Sequence, residues 1–209
     1  MPPSLADHRG AFLAACPVSR ETEAQLDRFA LLLADRNRSL SLIADSTMEA
    51  LWTRHFLDSA QILRLIPDPE AVVVDLGTGA GFPGLVLGIL GLPKIHLIEN
   101  NMQKVAFLRN VVAELGLPVT VHAMKIEAVR PFAAGTVTAR ALKPLDQLIG
   151  LSRKFMGSGS ACVFPKGRRA EEELRDAERR WRMKTERFQS LTDAGSTIFR
   201  ISDIQEAES

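Results

Sequence analysis

Asp75 closes an apolar run, VVVD, and is followed at once by Gly77, Gly79, Gly81 and Gly84. Glycine lets the backbone take positive φ and lets a ligand approach with no Cβ in the way. Residues 72–84, VVVDLGTGAGFPG, therefore read as a strand, a tight turn and a helix start arranged around a bound molecule. Pro83 suits the first helical turn, where its missing N–H costs nothing. The helix would aim free N–H groups and its positive end at whatever lies above the loop, a place suited to a carboxylate. Asp75 at the strand end suits a ligand that also carries an ammonium group.

Gly79, Gly81 and Gly84 also spell GxGxxG, and Glu99 lies at a suitable distance to bind a ribose, so a dinucleotide is an alternative. The carboxylate before the glycines and the stiff Pro83, where a pyrophosphate would pack, count against it. The methionine part of S-adenosylmethionine has the ammonium that NAD lacks, so a methyl donor is the favoured ligand, with Asp75, Gly77, Thr78, Gly79, Gly81 and Phe82 as its loop residues. Glu99, ending KIHLIE, is placed for the donor's ribose. Ile126 and Glu127 are placed to bracket the adenine, although Glu127 has the alternative of opening a helical turn.

Other constellations are weaker. His55, Asp58 and Ser59 lie at i, i+3 and i+4, which on one helix point outward together and cannot form a convergent hydrolytic relay. Four His and two Cys show no metal-ligand spacing, so no metal is expected.

The elements that must position these residues alternate. Leu26, Phe29, Ala30 and Leu33 mark one helix face. Ser46 with Glu49 resembles a capping box starting a helix through Leu51, His55, Ser59, Ile62 and Ile66, which Pro67 and Pro69 stop. Strands at 72–75, 95–99, 119–122, 135–138 and 160–164 then alternate with helices from about 83 and over 102–115. That pattern implies a mostly parallel sheet covered on both faces, an α/β fold of Rossmann-like type. Ala170, Leu174, Ala177, Trp181 and Phe188 suggest one long amphipathic helix, and the tail IQEAES is expected to fray or add an edge strand.

Composition limits the rest. The 209 residues, 46% hydrophobic, bury one sizeable core. The net charge of +1 gives no broad attraction to nucleic acid or membrane, so any RNA contact needs a local patch. Candidates are Arg36, Arg38, Arg54, Arg140, Lys143, Arg153, Lys154, Lys166, Arg168 and Arg169. Two cysteines fit reduced thiols in a cytoplasmic protein, and the N-terminus lacks a signal peptide's apolar stretch. No run is long enough to span a bilayer. We expect no membrane partner, and a monomer.

Taken in order, LWTRHFLDS, VVVDLGTGAGFPG, LIENNMQKVAFLRN, KIE, VTARAL and FPKG resemble the RsmG (GidB) family of bacterial enzymes, which methylate N7 of guanine 527 in 16S ribosomal RNA. The resemblance begins near Leu26 and runs through most of the chain. It implies a class I S-adenosylmethionine-dependent methyltransferase domain over 67–209, a helical extension over 1–66 packed on it, and 16S rRNA or the small ribosomal subunit as partner. Gly77 and Phe82 would contact the donor, Gly79 and Gly81 would shape its loop, Ile126 and Glu127 would hold the adenosine, and Arg140 would line donor and substrate. Arg54, His55, Asp58 and Lys166 would face RNA. Lys125, Gly135, Asn100 and Gln103 depart from the family's usual residues, Lys125 replacing a bidentate arginine by a point charge.

Guanine N7 carries a free lone pair and needs no general base. Holding N7, the methyl group and sulfur in line contributes on the order of 7–11 kcal/mol. Arg140 and Lys166 are the expected orienting or charge-stabilising groups.

Overall fold

A computed structural model describes residues 4–207 of the chain. The first three residues, and the last two of the IQEAES tail, lie outside the described residues. Ser4 caps helix α1 (Leu5–Ala15) reciprocally with Asp7, and Ser19 caps α2 (Arg20–Leu40) through the Thr22 N–H. α2 carries the expected stripe: Leu26, Phe29 and Leu33 are fully buried. The Ser46 capping box does not form. Instead a 3₁₀ turn, Asp45–Thr47, precedes a π-helical stretch, Trp52–Leu57, that runs into the short α3 (Asp58–Ala60).

The remaining elements are β1 (Val73–Leu76), α4 (Gly84–Ile89), β2 (Ile95–Glu99), α5 (Met102–Leu115), β3 (Val119–Ala123), β4 (Ala134–Thr138), α6 (Leu145–Ser152), β5 (Met156–Lys166), α7 (Ala170–Glu178), β6 (Trp181–Gln189) and β7 (Thr197–Glu206). They form one seven-stranded sheet in the order β3-β2-β1-β4-β5-β7-β6. β1 to β5 are parallel; β7 runs antiparallel to β5 and β6 antiparallel to β7. The order reverses between β1 and β4, which opens the crevice where α/β sheets bind ligands.

The long C-terminal helix expected from residue 170 to Phe188 is two elements. The apolar stripe at 170, 174 and 177 belongs to α7, but WRMKTERFQ is strand β6. Trp181 fits a helical period by coincidence; it is buried against α6 and donates its indole N–H to the Asp146 carbonyl at 3.2 Å. Pairing with β6 also makes β7 an interior strand over 197–201, and the tail residues Gln205 and Glu206 continue it as a strand paired with β6.

Each face of the sheet has its own apolar layer. On one, Phe12, Phe29, Trp52 and Phe56 of the N-terminal segment join α4 and α5 residues in a single cluster with Val73, Leu97 and Ile198. The other packs Leu145, Leu148 and Ile149 of α6 and Leu174 and Ala177 of α7 on Val74, Val137 and Phe164. Burying each large side chain contributes about 1.5–3 kcal/mol, so the N-terminal helices are held to the sheet by a shared core.

Candidate active site

The glycine turn after β1 is fixed from beneath. Asp75 is fully buried, and its Oδ2 accepts from the Thr78 hydroxyl at 2.5 Å and the Gly84 N–H at 2.9 Å. Asp75 therefore braces the loop from behind through Oδ2, while its buried Oδ1 has no hydrogen-bond partner. Burial pushes its pKa up to about 7, against the opposing pull of the Thr78 and Gly84 hydrogen bonds. The first N–H of α4 is likewise taken by this carboxylate rather than offered to the crevice, and Pro83 stands just before the helix rather than within it.

Gly77, Gly79 and Gly81 all have positive φ. A Cβ on Gly77 would lie 2.6 Å from Leu142 Cδ1, and one on Gly81 would collide with Leu85. Glu99, at the end of β2, accepts three backbone N–H groups: Gly79 at 3.0 Å, and Asn100 and Asn101 at 2.9 Å each. The carboxylate thus ties the two neighbouring strand ends together at the cavity wall.

Above the loop lies a cavity of 730 Å³ lined by Gly77, Thr78, Gly79, Phe82, Glu99, Ile126, Glu127 and Arg140. Eight of the sequence candidates thus share one wall system; Asp75 and Gly81 support it from behind. The cavity also takes in Leu42–Ala44, Thr47, Lys104, Met124 and Leu142, which no sequence pattern singled out. Lys125 lines it and is exposed. Gly135 lies elsewhere, with Ala71 occupying the space its Cβ would need, 2.5 Å away.

A second cavity, 720 Å³, adjoins the first and shares Thr47, His55 and residues 140–143 with it. Its other walls include Arg54, Asp58, Lys166, Thr192 and Asp193. All four expected RNA-side residues are here, brought together from two separated segments.

Arg140 stands on the shared wall. One guanidinium nitrogen donates to the Arg54 carbonyl and to Asp58 Oδ2, both at 3.2 Å; the other donates to His55 Nδ1 at 2.7 Å. The guanidinium also lies 4.9 Å from the Phe82 ring centroid. The widened π-helical turn lets a backbone carbonyl, an imidazole and a carboxylate from 54–58 converge on one fork. Ala141, next in sequence, has φ +51, a left-handed conformation that favours glycine.

His55 is not a free RNA contact. Its Nε2 lies 2.9 Å from Thr47 Oγ1, which donates to the Ala44 carbonyl at 2.7 Å. With Nδ1 accepting from Arg140, the proton belongs on Nε2. Burial first, then the charges of Arg140 and Arg54, push the His55 pKa down to about 3, so the ring is neutral at working pH. Asp58 is occupied too: its Oδ1 accepts from Gln61 Nε2 and the Thr192 hydroxyl, both at 2.9 Å.

Lys166 reaches only the second cavity. It pairs with Glu173 at 2.7 Å and donates to the Lys143 carbonyl, so it anchors α7 to the β4–α6 connection. Other members of the expected basic rim are also engaged. Arg153 pairs with Glu206, Arg169 with Glu172, and Lys154 donates to three carbonyls. Arg54, Lys143 and Arg168 are exposed beside the second cavity, with no carboxylate partner among the described residues. The described residues contain no cluster of metal ligands and no helix long and apolar enough to cross a membrane. Cys16 and Cys162 are both free.

Solved methyltransferases share the fold. A ribosomal protein L11 methylase from Lactobacillus delbrueckii aligns with a TM-score of 0.57 at 16% identity, covering 70% of this chain and 76% of that one. A glycopeptide N-methyltransferase, MtfA, solved with S-adenosyl-L-homocysteine, aligns with the same TM-score at 13% identity, covering 70% and 88%. These likenesses establish a class I methyltransferase-type, Rossmann-like fold. Sequence relatives are far nearer. A ribosomal RNA small subunit methyltransferase G of Rhodospirillum centenum is 48% identical over 193 residues, 92% of this chain and 89% of that protein. Its counterpart in Rhodospirillum rubrum is 42% identical over 94% of this chain and 98% of that one. The GidB family, described as rRNA small subunit methyltransferase G, matches residues 22–199, and the chain belongs to that family.

Proposed function

We propose that the protein transfers the methyl group of S-adenosylmethionine to N7 of a guanine, guanine 527, in the 16S RNA of the small ribosomal subunit. S-adenosylmethionine is the cofactor. The observation that carries this reading is the pair of adjoining cavities with Arg140 on their common wall. One has the glycine turn and strand-end carboxylate of a donor site; the other is open and lined by basic groups.

Glu99 would hold the donor's ribose, Ile126 and Glu127 its adenine, and Gly77, Thr78, Gly79 and Phe82 its methionine part. The acceptor guanine enters from the second cavity. The bound donor would supply an activated methyl group to guanine N7 and leave as S-adenosylhomocysteine, giving a cationic 7-methylguanine. No proton moves, which suits a site whose one histidine is neutral and fully hydrogen-bonded. The protein's part is alignment. Arg140, fixed by three partners, orients the base; Lys166 holds the far wall through Glu173.

Arg54, Lys143 and Arg168 contact RNA phosphates, which makes binding salt-dependent, while the cavity selects the base. The protein acts as a monomer in the cytoplasm. Mass spectrometry of 16S rRNA from a strain lacking the gene tests the substrate: loss of one 7-methylguanine at position 527 is expected, and an unchanged content overturns the assignment.

A further inference from the structure

Lys154 lies on the short turn Arg153–Phe155 between α6 and β5 and lines neither cavity. Its ammonium nevertheless donates to three carbonyls of another segment: Ile126 at 2.6 Å, Val129 at 2.8 Å and Glu127 at 3.0 Å. All three of its N–H donors are used. The acceptors belong to the 3₁₀ turn Ile126–Ala128 and the residue after it; the Ile126 carbonyl also accepts the Val129 N–H at 3.2 Å. A cation suits the negative carbonyl end of a helical turn.

Among the described residues these are the only side-chain hydrogen bonds to residues 124–133. The rest of that segment's anchoring is apolar. Val129 is buried, and Phe132 packs against His96, His122 and Phe155. Ile126 packs on the same apolar layer, and with Met124, Lys125 and Glu127 it forms the cavity wall. Among the described residues, the one polar side-chain tether of that wall is the ammonium group behind it.

We infer that Lys154 is a positioning residue for the methyl donor: it sets donor affinity by fixing the turn that presents Ile126 and Glu127, without touching the donor. This rests on the reading of the first cavity as the donor site. Because Lys154 is remote from the second cavity, its loss acts on donor binding and leaves transfer at saturating donor intact. A role in folding alone would not produce that split.

The test is calorimetry of the full chain with S-adenosylmethionine, paired with kinetics on small ribosomal subunits. For Lys154→Met, which removes three charge-assisted hydrogen bonds, the donor Kd rises about tenfold while kcat at saturating donor stays within about twofold. Lys154→Arg, which keeps the donors, stays within about threefold of wild type. Should the methionine variant fail to fold, Lys154→Gln, retaining two N–H donors, is measured instead and raises the donor Kd about threefold. Wild-type binding with an unchanged Kd in the methionine and glutamine variants, or a lowered kcat with unchanged Kd, overturns the inference. Failure of the wild type to take up donor removes the donor-site reading itself.

Discussion

The two cavities share a wall but are built from different materials. The first is centred on one contiguous glycine turn, braced by Asp75 from behind and tied to the next strand by Glu99, with side chains from 42–47, 124–127 and 140–143 closing it. The second is made of side chains from segments far apart in sequence, 54–58, 140–143, 165–173 and 190–198, joined by ion pairs and hydrogen bonds. A site of the first kind tolerates side-chain exchange except where a glycine cannot be replaced. One of the second kind responds to changes of charge at Asp58, Arg140, Lys166 and Glu173, because each of these is held by another.

Substitutions that attack one cavity and spare the other sharpen this contrast. Gly81→Ala has the largest expected effect, since its Cβ would collide with Leu85 at a φ of +97. Donor binding should fall by about a hundredfold or more in calorimetry. Arg140→Met should lower kcat by about a hundredfold, and Arg140→Lys should not rescue it, because an ammonium cannot reproduce the fork. Donor Kd in both should change far less than in Gly81→Ala.

The two perturbed acid–base groups oppose each other, and single variants unmask them. Folded His55 stays neutral down to about pH 3, whereas the unfolded ring protonates near its ordinary 6.5. Its contribution to stability is therefore full above 6.5 and lost as pH falls toward 3. Folded Asp75 keeps its proton up to about pH 7, whereas the unfolded carboxyl ionises near 3.8. Its contribution is full below 3.8 and lost as pH rises toward 7. In denaturant titrations from pH 4 to 7, Asp75→Asn should steepen the rise of stability with pH. His55→Asn, whose amide oxygen can replace Nδ1 as acceptor for Arg140, should shift the slope the opposite way. Equal slopes in both variants and wild type would contradict these assignments.

Smaller effects are expected farther out. Lys166→Met should weaken RNA binding about threefold in filter binding, by loosening the α7 side of the second cavity and leaving Glu173 unpaired, with donor Kd unchanged. Arg169→Ala breaks only an exposed pair and should change neither RNA affinity nor thermal midpoint measurably.

The same contrast explains what could be read without coordinates. The alternating strands and the glycine turn are local patterns, so the parallel sheet and the glycine-turn residues lining the first cavity were legible from single segments. Asp75 was legible as important, but its bracing of the loop was not: a carboxylate at a strand end fits a ligand or the loop behind it, and the Thr78 and Gly84 contacts show the second. β6 was read as helix because Trp181 continues a helical period, and its pairing with β7 is a long-range contact no local pattern records. The second cavity entered only as scattered basic residues and through the family resemblance. Nothing local marks Thr192 as a partner of Asp58, Thr47 as the last link in the Arg140–His55 chain, or Lys154 as the tether of a turn on another segment.

The glycine turn remains the centre of the functional reading, and ligand uptake by the wild-type chain tests it most directly. Titration calorimetry with S-adenosylmethionine should show saturable one-to-one binding, with no heat from NAD at the same concentrations. Binding of NAD, or no binding of S-adenosylmethionine at high micromolar concentration, would contradict it.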